Sequence, residues 1–165
     1  RRGLIPFARP FSAPSAGDDR RQRRYGIMTE RPQISSRKPA ENGGPLNVLC
    51  ADDDEHVALT LKYVFESAGH HVECFGSGHS ALTRVLSELE YFDLIVTDHH
   101  MPSLSGLQFV EKLREAQYMG RIVVHSSHLS ETAVKAYQTL AVERIVKKPA
   151  SPFELLEAVK GLKHS

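Results

Sequence analysis

The run Phe92-Asp93-Leu94-Ile95-Val96-Thr97-Asp98-His99-His100-Met101-Pro102-Ser103-Leu104-Ser105-Gly106 reads as an apolar strand, Phe92–Thr97, that stops on a carboxylate. It then turns through a proline into a helix over Ser105–Gln117. Strands buried on both faces are short, continuous and rich in β-branched residues. A strand of this kind feeding straight into a helix is one step of a βα repeat.

The same step recurs on both sides. Leu46–Ala51 is a strand ending in acid, followed by a helix over Glu55–Ala68 with Val57, Leu61, Val64, Phe65 and Ala68 at helical spacing and Gly69 as the stop. His71–Phe75 is a second strand and Gly78–Glu90 a second helix, with Ala81, Leu82, Val85, Leu86 and Leu89 on one face. Beyond Gly120 come a strand over Arg121–His125, a helix over Ser130–Leu140, a strand over Val142–Val146 and a helix over Ser151–Leu162. Ser130 and Ser151-Pro152 are helix-start signals. Five strands alternating with five helices predict an α/β fold: a doubly wound parallel sheet with helices on both faces.

Residues 1–45 differ in kind. They hold ten Lys/Arg against four Asp/Glu, whereas 46–165 hold eleven against sixteen. A basic tail, net +6, therefore precedes an acidic body, net −5. The tail is rich in Arg, Pro, Ser and Gly without periodicity and is expected to lack a packed core. Its Arg20-Arg21-Gln22-Arg23-Arg24 cluster is a solvated charge run before it is a nucleic-acid or lipid contact. Because the chain opens on Arg1, the tail is read as a fragment, a processed chain, a linker or a translation extended upstream of a start at Met28, and Asn42-Gly43-Gly44-Pro45 marks the boundary with a domain over 46–165. Cys50 and Cys74 form no disulfide framework and read as small hydrophobes in apolar runs, which fits a reducing cytoplasm. No apolar run approaches the ~18 residues of a membrane span.

In doubly wound folds, sites form at the carboxyl ends of the strands. There the sequence places Asp52-Asp53-Asp54-Glu55, Asp98, Ser126 and Lys148. Clustered carboxylates repel and call for a cation. A hard divalent ion such as Mg²⁺, or Mn²⁺ in its place, suits oxygen ligands. Carboxylate, metal, ammonium and hydroxyl together equip a site for phosphoryl transfer to a carboxylate nucleophile.

Asp52-Asp53, Asp98-x-x-Met101-Pro102-x-x-x-Gly106, Ser126 and Lys148-Pro149, in this order, resemble the receiver domains of two-component response regulators, the CheY-like superfamily, in their single-domain form. The resemblance covers about 46–165. It implies a flavodoxin-like strand order 2-1-3-4-5 and phosphoryl transfer to Asp98 from a histidine kinase or histidine phosphotransfer protein. It implies Mg²⁺ ligation by Asp53, Asp98 and the backbone carbonyl of His100, with Asp52 acting largely through water. Lys148 would pair with the phosphoryl oxygens, Ser126 would move to hydrogen-bond them, and the Lys148-Pro149 peptide would be cis. Output would be a protein contact through the fourth helix and fifth strand, with Lys135 and Tyr137 as candidates and dimerisation through that face as one form of it. No DNA-binding or cyclase segment follows within the chain, and no membrane contact is implied. A domain of this kind accepts phosphate and loses it again without being a classical enzyme.

Two departures stand out. The family's usual aromatic switch position holds Ile145. Histidines crowd the site: His100 and His128 fall at positions that tune the lifetime of the acyl phosphate, and Ser127 replaces a usual alanine. Because histidine as a residue type titrates near neutrality, that lifetime is expected to depend on pH. His56, His99 and His125 are expected to be unrelated surface histidines. Two other functions compete. A hydrolase with an aspartyl-phosphate intermediate would want a D-x-D-x-T pattern after the first strand, which Asp52-Asp53-Asp54-Glu55-His56 lacks. A receiver-like module that binds partners without ever being phosphorylated fits Ile145 but leaves the complete acidic, serine and lysine set unexplained.

Overall fold

A computed structural model describes residues 44–160. The expected basic tail lies outside them except for its last two residues, Gly44 and Pro45. Five strands and five helices alternate: β1 (Asn47–Ala51), α1 (Glu55–Ser67), β2 (His71–Phe75), α2 (Gly78–Leu86), β3 (Leu94–Thr97), α3 (Gly106–Glu115), β4 (Arg121–Ser126), α4 (Glu131–Thr139), β5 (Arg144–Lys147) and α5 (Pro152–Lys160). All strand pairs are parallel and the order is β2-β1-β3-β4-β5, as expected.

Alternate residues of the central strands feed two cores. Leu49, Ile95, Ile122 and Val124 pack with Phe109, Leu113 and Tyr137 on the face covered by α2, α3 and α4. Val48, Cys50, Val96 and Val123 pack with Leu61, Phe65, Leu155 and Val159 on the face covered by α1 and α5. Strands apolar on both faces are what a sheet with helices on both sides requires.

Helix ends explain where observed bounds differ from expected ones. The helix expected over Gly78–Glu90 ends at Leu86, because the Ser87 hydroxyl donates to the Arg84 carbonyl at 2.7 Å and the chain turns, with Leu89 left to pack on the core. The strand expected over Val142–Val146 is Arg144–Lys147. Val142 instead completes the end of α4: its N–H donates to the Tyr137 carbonyl and that of Ala141 to the Gln138 carbonyl, with Ala141 at φ 51°. This is a Schellman motif with alanine where glycine is usual. Helix α1 ends the same way on Gly69 at φ 88°. Ser126, expected just past β4, is its last residue.

Gly106 opens α3 directly beneath the end of β3. A Cβ there would overlap the Asp98 carbonyl oxygen and lie 2.9 Å from His99 Cα. Both obstacles are backbone and cannot swing aside. Gly106→Ala is therefore expected to lower stability by about 1–3 kcal/mol, the usual cost of overpacking, and to displace the residues around Asp98. Urea unfolding checks the first effect. A midpoint equal to wild type would mean the backbone yields there.

Candidate functional site

The sheet order puts β1 beside β3, so two carboxylates distant in sequence meet at one edge. Asp52 and Asp98 follow these strands immediately and are buried, at 2% and 5% exposure. Lys148, just past β5, reaches both: its Nζ donates to Asp52 Oδ2 at 2.8 Å and lies 3.0 Å from Asp98 Oδ1. Backbone amides take up the remaining oxygens, with Asp54 N–H donating to Asp52 Oδ1 at 3.0 Å and His100 N–H to Asp98 Oδ2 at 2.8 Å. Two carboxylates thus share one ammonium. Burial pushes the Asp52 carboxyl above its usual pKa against the pull of Lys148. Burial opposes the charge on Lys148, but hydrogen bonds to Asp52 and Asp98 outweigh it and hold its pKa above the usual value.

The loops hold these groups by short local bonds. Asp54 caps α1, accepting from His56 N–H at 2.9 Å, which is the favourable role of an acid at a helix start. Ser105 and Gln108 form a capping box on α3. Gly106 N–H donates to the His99 carbonyl at 2.9 Å, fastening the loop after Asp98. Met101 plugs the core beneath it. The Lys148-Pro149 peptide is cis, and Lys148 N–H donates to the Ser126 carbonyl at 2.8 Å. Ser151 and Glu154 close a reciprocal cap on α5.

Of the residues singled out from the sequence, Asp52, Asp98 and Lys148 are in direct contact. Asp53 is exposed beside them. Ser126 is buried at the end of β4 with its hydroxyl 3.4 Å from the His128 carbonyl, while Ser127, His128 and His100 are exposed. Ile145 is half-buried against the core. Among the described residues, no group of three or more His, Cys, Asp or Glu side chains is gathered closely enough to hold a metal ion as it stands. By charge and donor type the set nevertheless suits a hard divalent cation. Asp52, Asp53 and Asp98 are all oxygen donors and outnumber the one ammonium facing them.

Three expectations need correction. His125 is not a surface residue: it is buried, and neither ring nitrogen has a hydrogen-bond partner. Its parity along β4 turns it to the α1 and α5 face. There it helps line a cavity of about 520 Å³ with Val57, Leu61, Lys148, Pro149 and Pro152. Burial, and secondarily the charge of Lys148, pulls its pKa down to about 4. His99 is half-buried, and its Nδ1 lies 2.9 Å from the Tyr137 hydroxyl. Burial, with His100 beside it, lowers its pKa. Tyr137 itself is fully buried and cannot belong to an exposed contact face, whereas Lys135 is exposed. The alternation of β4 was the available signal for His125. No periodicity announces the His99–Tyr137 pair.

Residues 48–160 match the family model described as "Response regulator receiver domain". The sensory/regulatory protein RpfC of Xanthomonas campestris is 29% identical over 121 residues, covering 71% of this chain but only 16% of that relative. The chemotaxis protein CheY of Treponema pallidum is 27% identical over 135 residues, covering 79% of this chain and 94% of that one. A solved CheX-CheY-BeF3-Mg complex from Borrelia burgdorferi shares the fold with a TM-score of 0.68 and 23% identity, over 73% of this chain and 92% of that one. The chain belongs to the response regulator receiver domain family, the signalling module of two-component systems.

Proposed function

We propose that Asp98 accepts a phosphoryl group from a phosphohistidine on a histidine kinase or phosphotransfer protein and that the phosphorylated domain signals by protein contact. The observation that carries this reading is the Lys148 ammonium held between buried Asp52 and Asp98 at 2.8 and 3.0 Å. A carboxylate oxygen of Asp98 attacks phosphorus. The P–O bond forms as the P–N bond to imidazole breaks, and the imidazole leaves with a proton. Lys148 already faces Asp98, so it meets the phosphoryl oxygens without reorganising. Asp52, Asp53, Asp98 and the His100 carbonyl would hold Mg²⁺, or Mn²⁺, which when bound neutralises charge on the transferring group. Ser126, buried at the end of β4, would turn its hydroxyl to the new group. His100, Ser127 and His128, all exposed at the mouth of the site, set how fast water removes it. Cytoplasmic placement agrees with this chemistry, and among the described residues no helix is long and apolar enough to cross a membrane. The magnesium and beryllofluoride named for the Borrelia complex are consistent with such a site.

The test is incubation with Mg²⁺ and acetyl phosphate followed by intact mass measurement, with Asp98→Asn alongside. Wild type is expected to gain one phosphoryl group and the variant none. No gain in folded protein shown to bind Mg²⁺ would leave a receiver-like module that works unphosphorylated.

A further inference from the structure

The buried side chains of helix α4 are Ala133 and Tyr137. Ala133 offers a methyl group, so Tyr137 is the main anchor. The Tyr137 ring sits in the core beneath β4, and its hydroxyl ends 2.9 Å from Nδ1 of His99, with the two ring centroids 5.8 Å apart. His99 lies between Asp98 and His100, whose N–H is bonded to the Asp98 carboxylate. Position 145, where the resemblance leads one to expect an aromatic ring, holds an aliphatic side chain with no hydrogen-bonding group.

We propose that the Tyr137–His99 hydrogen bond couples α4 to the state of Asp98, with an aromatic side chain on the helix taking the part that Ile145 on β5 cannot. Tyr137 is a positioning residue here: it touches neither the carboxylate nor the incoming group and acts through His99. The inference rests on Asp98 being the acceptor. Conversion of the carboxylate to an acyl phosphate moves the negative charge from its oxygens to the phosphoryl group and changes what those oxygens offer to His100 N–H and Lys148. The loop carrying His99 must then adjust while Gly106 N–H holds its carbonyl. A shift of the imidazole either strains or releases the buried hydroxyl, which loses stabilisation when left without a partner. The helix follows its anchor.

Amide hydrogen exchange across residues 129–142 tests this, with Mg²⁺ and beryllofluoride as the acyl-phosphate mimic and intact mass after acetyl phosphate as the separate measure of phosphoryl uptake. Tyr137→Phe keeps the ring and deletes the hydroxyl. Wild type is expected to show a several-fold change in α4 exchange on adding the mimic. Tyr137→Phe is expected to take up the phosphoryl group as wild type does yet lose most of that change. His99→Gln should lose it too, and the double variant should lose no more than either alone. If Tyr137→Phe responds as fully as wild type, or if wild-type α4 does not respond although the mass shows phosphoryl uptake, the coupling is refuted and the acceptor reading stands. Wild type that takes no phosphoryl group refutes both.

Discussion

Lys148→Met is expected to slow phosphoryl uptake by Asp98 roughly 100- to 1000-fold, the usual cost of deleting one preorganised charge stabiliser. The loss has two sources. The ammonium no longer meets the negative charge of the incoming group. In addition, Asp52 and Asp98, both buried, face each other without the cation they shared. Asp52, already raised by burial, loses what held it down, and like-charge repulsion favours a proton on one of the pair. Stability falls as well. Removing one partner of a buried pair costs about 3–5 kcal/mol, but Lys148 is 21% exposed, and protonation of a freed carboxylate relieves part of that. The destabilisation should therefore shrink as pH is lowered. Lys148→Arg restores the charge as a planar fork that cannot sit as a point between two oxygens, so partial recovery is the expected result. Initial rates of mass gain at fixed acetyl phosphate decide the matter. A Lys148→Met rate within about threefold of wild type would remove Lys148 from the chemistry.

His125→Leu is expected to flatten the loss of stability that wild type shows on acidification. In the folded domain the His125 pKa is about 4, against an ordinary 6.5. The unfolded chain therefore takes up its proton first as pH falls. Protonation of His125 therefore costs nothing above about 6.5 and removes stability progressively as pH drops through the window down to about 4. The difference amounts to roughly 3 kcal/mol. Leucine has no such proton and no unpartnered nitrogens to bury, so the variant should also be more stable near neutrality by about 1–3 kcal/mol. Chemical unfolding at both ends of the window, wild type against variant, isolates this group from other acid-sensitive ones such as Asp52. Parallel stability-against-pH curves would show that His125 finds a partner in solution and carries no penalty.

Element order was legible because the strands are apolar runs, four of them ending on an acid, a serine or a lysine, whereas the sheet order was implied by the family resemblance. Asp52, Asp98 and Lys148 were legible for the same reason: the end of a strand is a position in space as soon as the sheet order is known. What escaped was whatever depends on a side chain's direction. His125 looks like part of a polar cluster in sequence, but the parity of Val123 and His125 sends it into the core between α1 and α5. Tyr137, on a helix with many exposed polar residues, looks like a contact residue until α3, β4 and β5 close over it. The shortened α2 and displaced β5 turned on local competitors, the Ser87 hydroxyl and the left-handed Ala141, that apolar periodicity does not register.

The Arg114 guanidinium reaches out from α3 and donates to the carbonyls of Leu140 and Ala141, each at 2.9 Å, as well as to Tyr118 at 2.6 Å. Leu140 caps α4 and Ala141 follows it, so Arg114 bolts the C-terminal end of that helix to α3. A rod fixed at one end turns rather than slides. Tyr137 lies about three residues from the bolt and Ser130 about ten, at ~1.5 Å of rise each. Under the coupling proposed above, a displacement at Tyr137 pivoting on that end would grow roughly threefold at the Ser130 end, and a shift of a few tenths of an ångström at one buried ring would become a change in the outer surface that a partner meets.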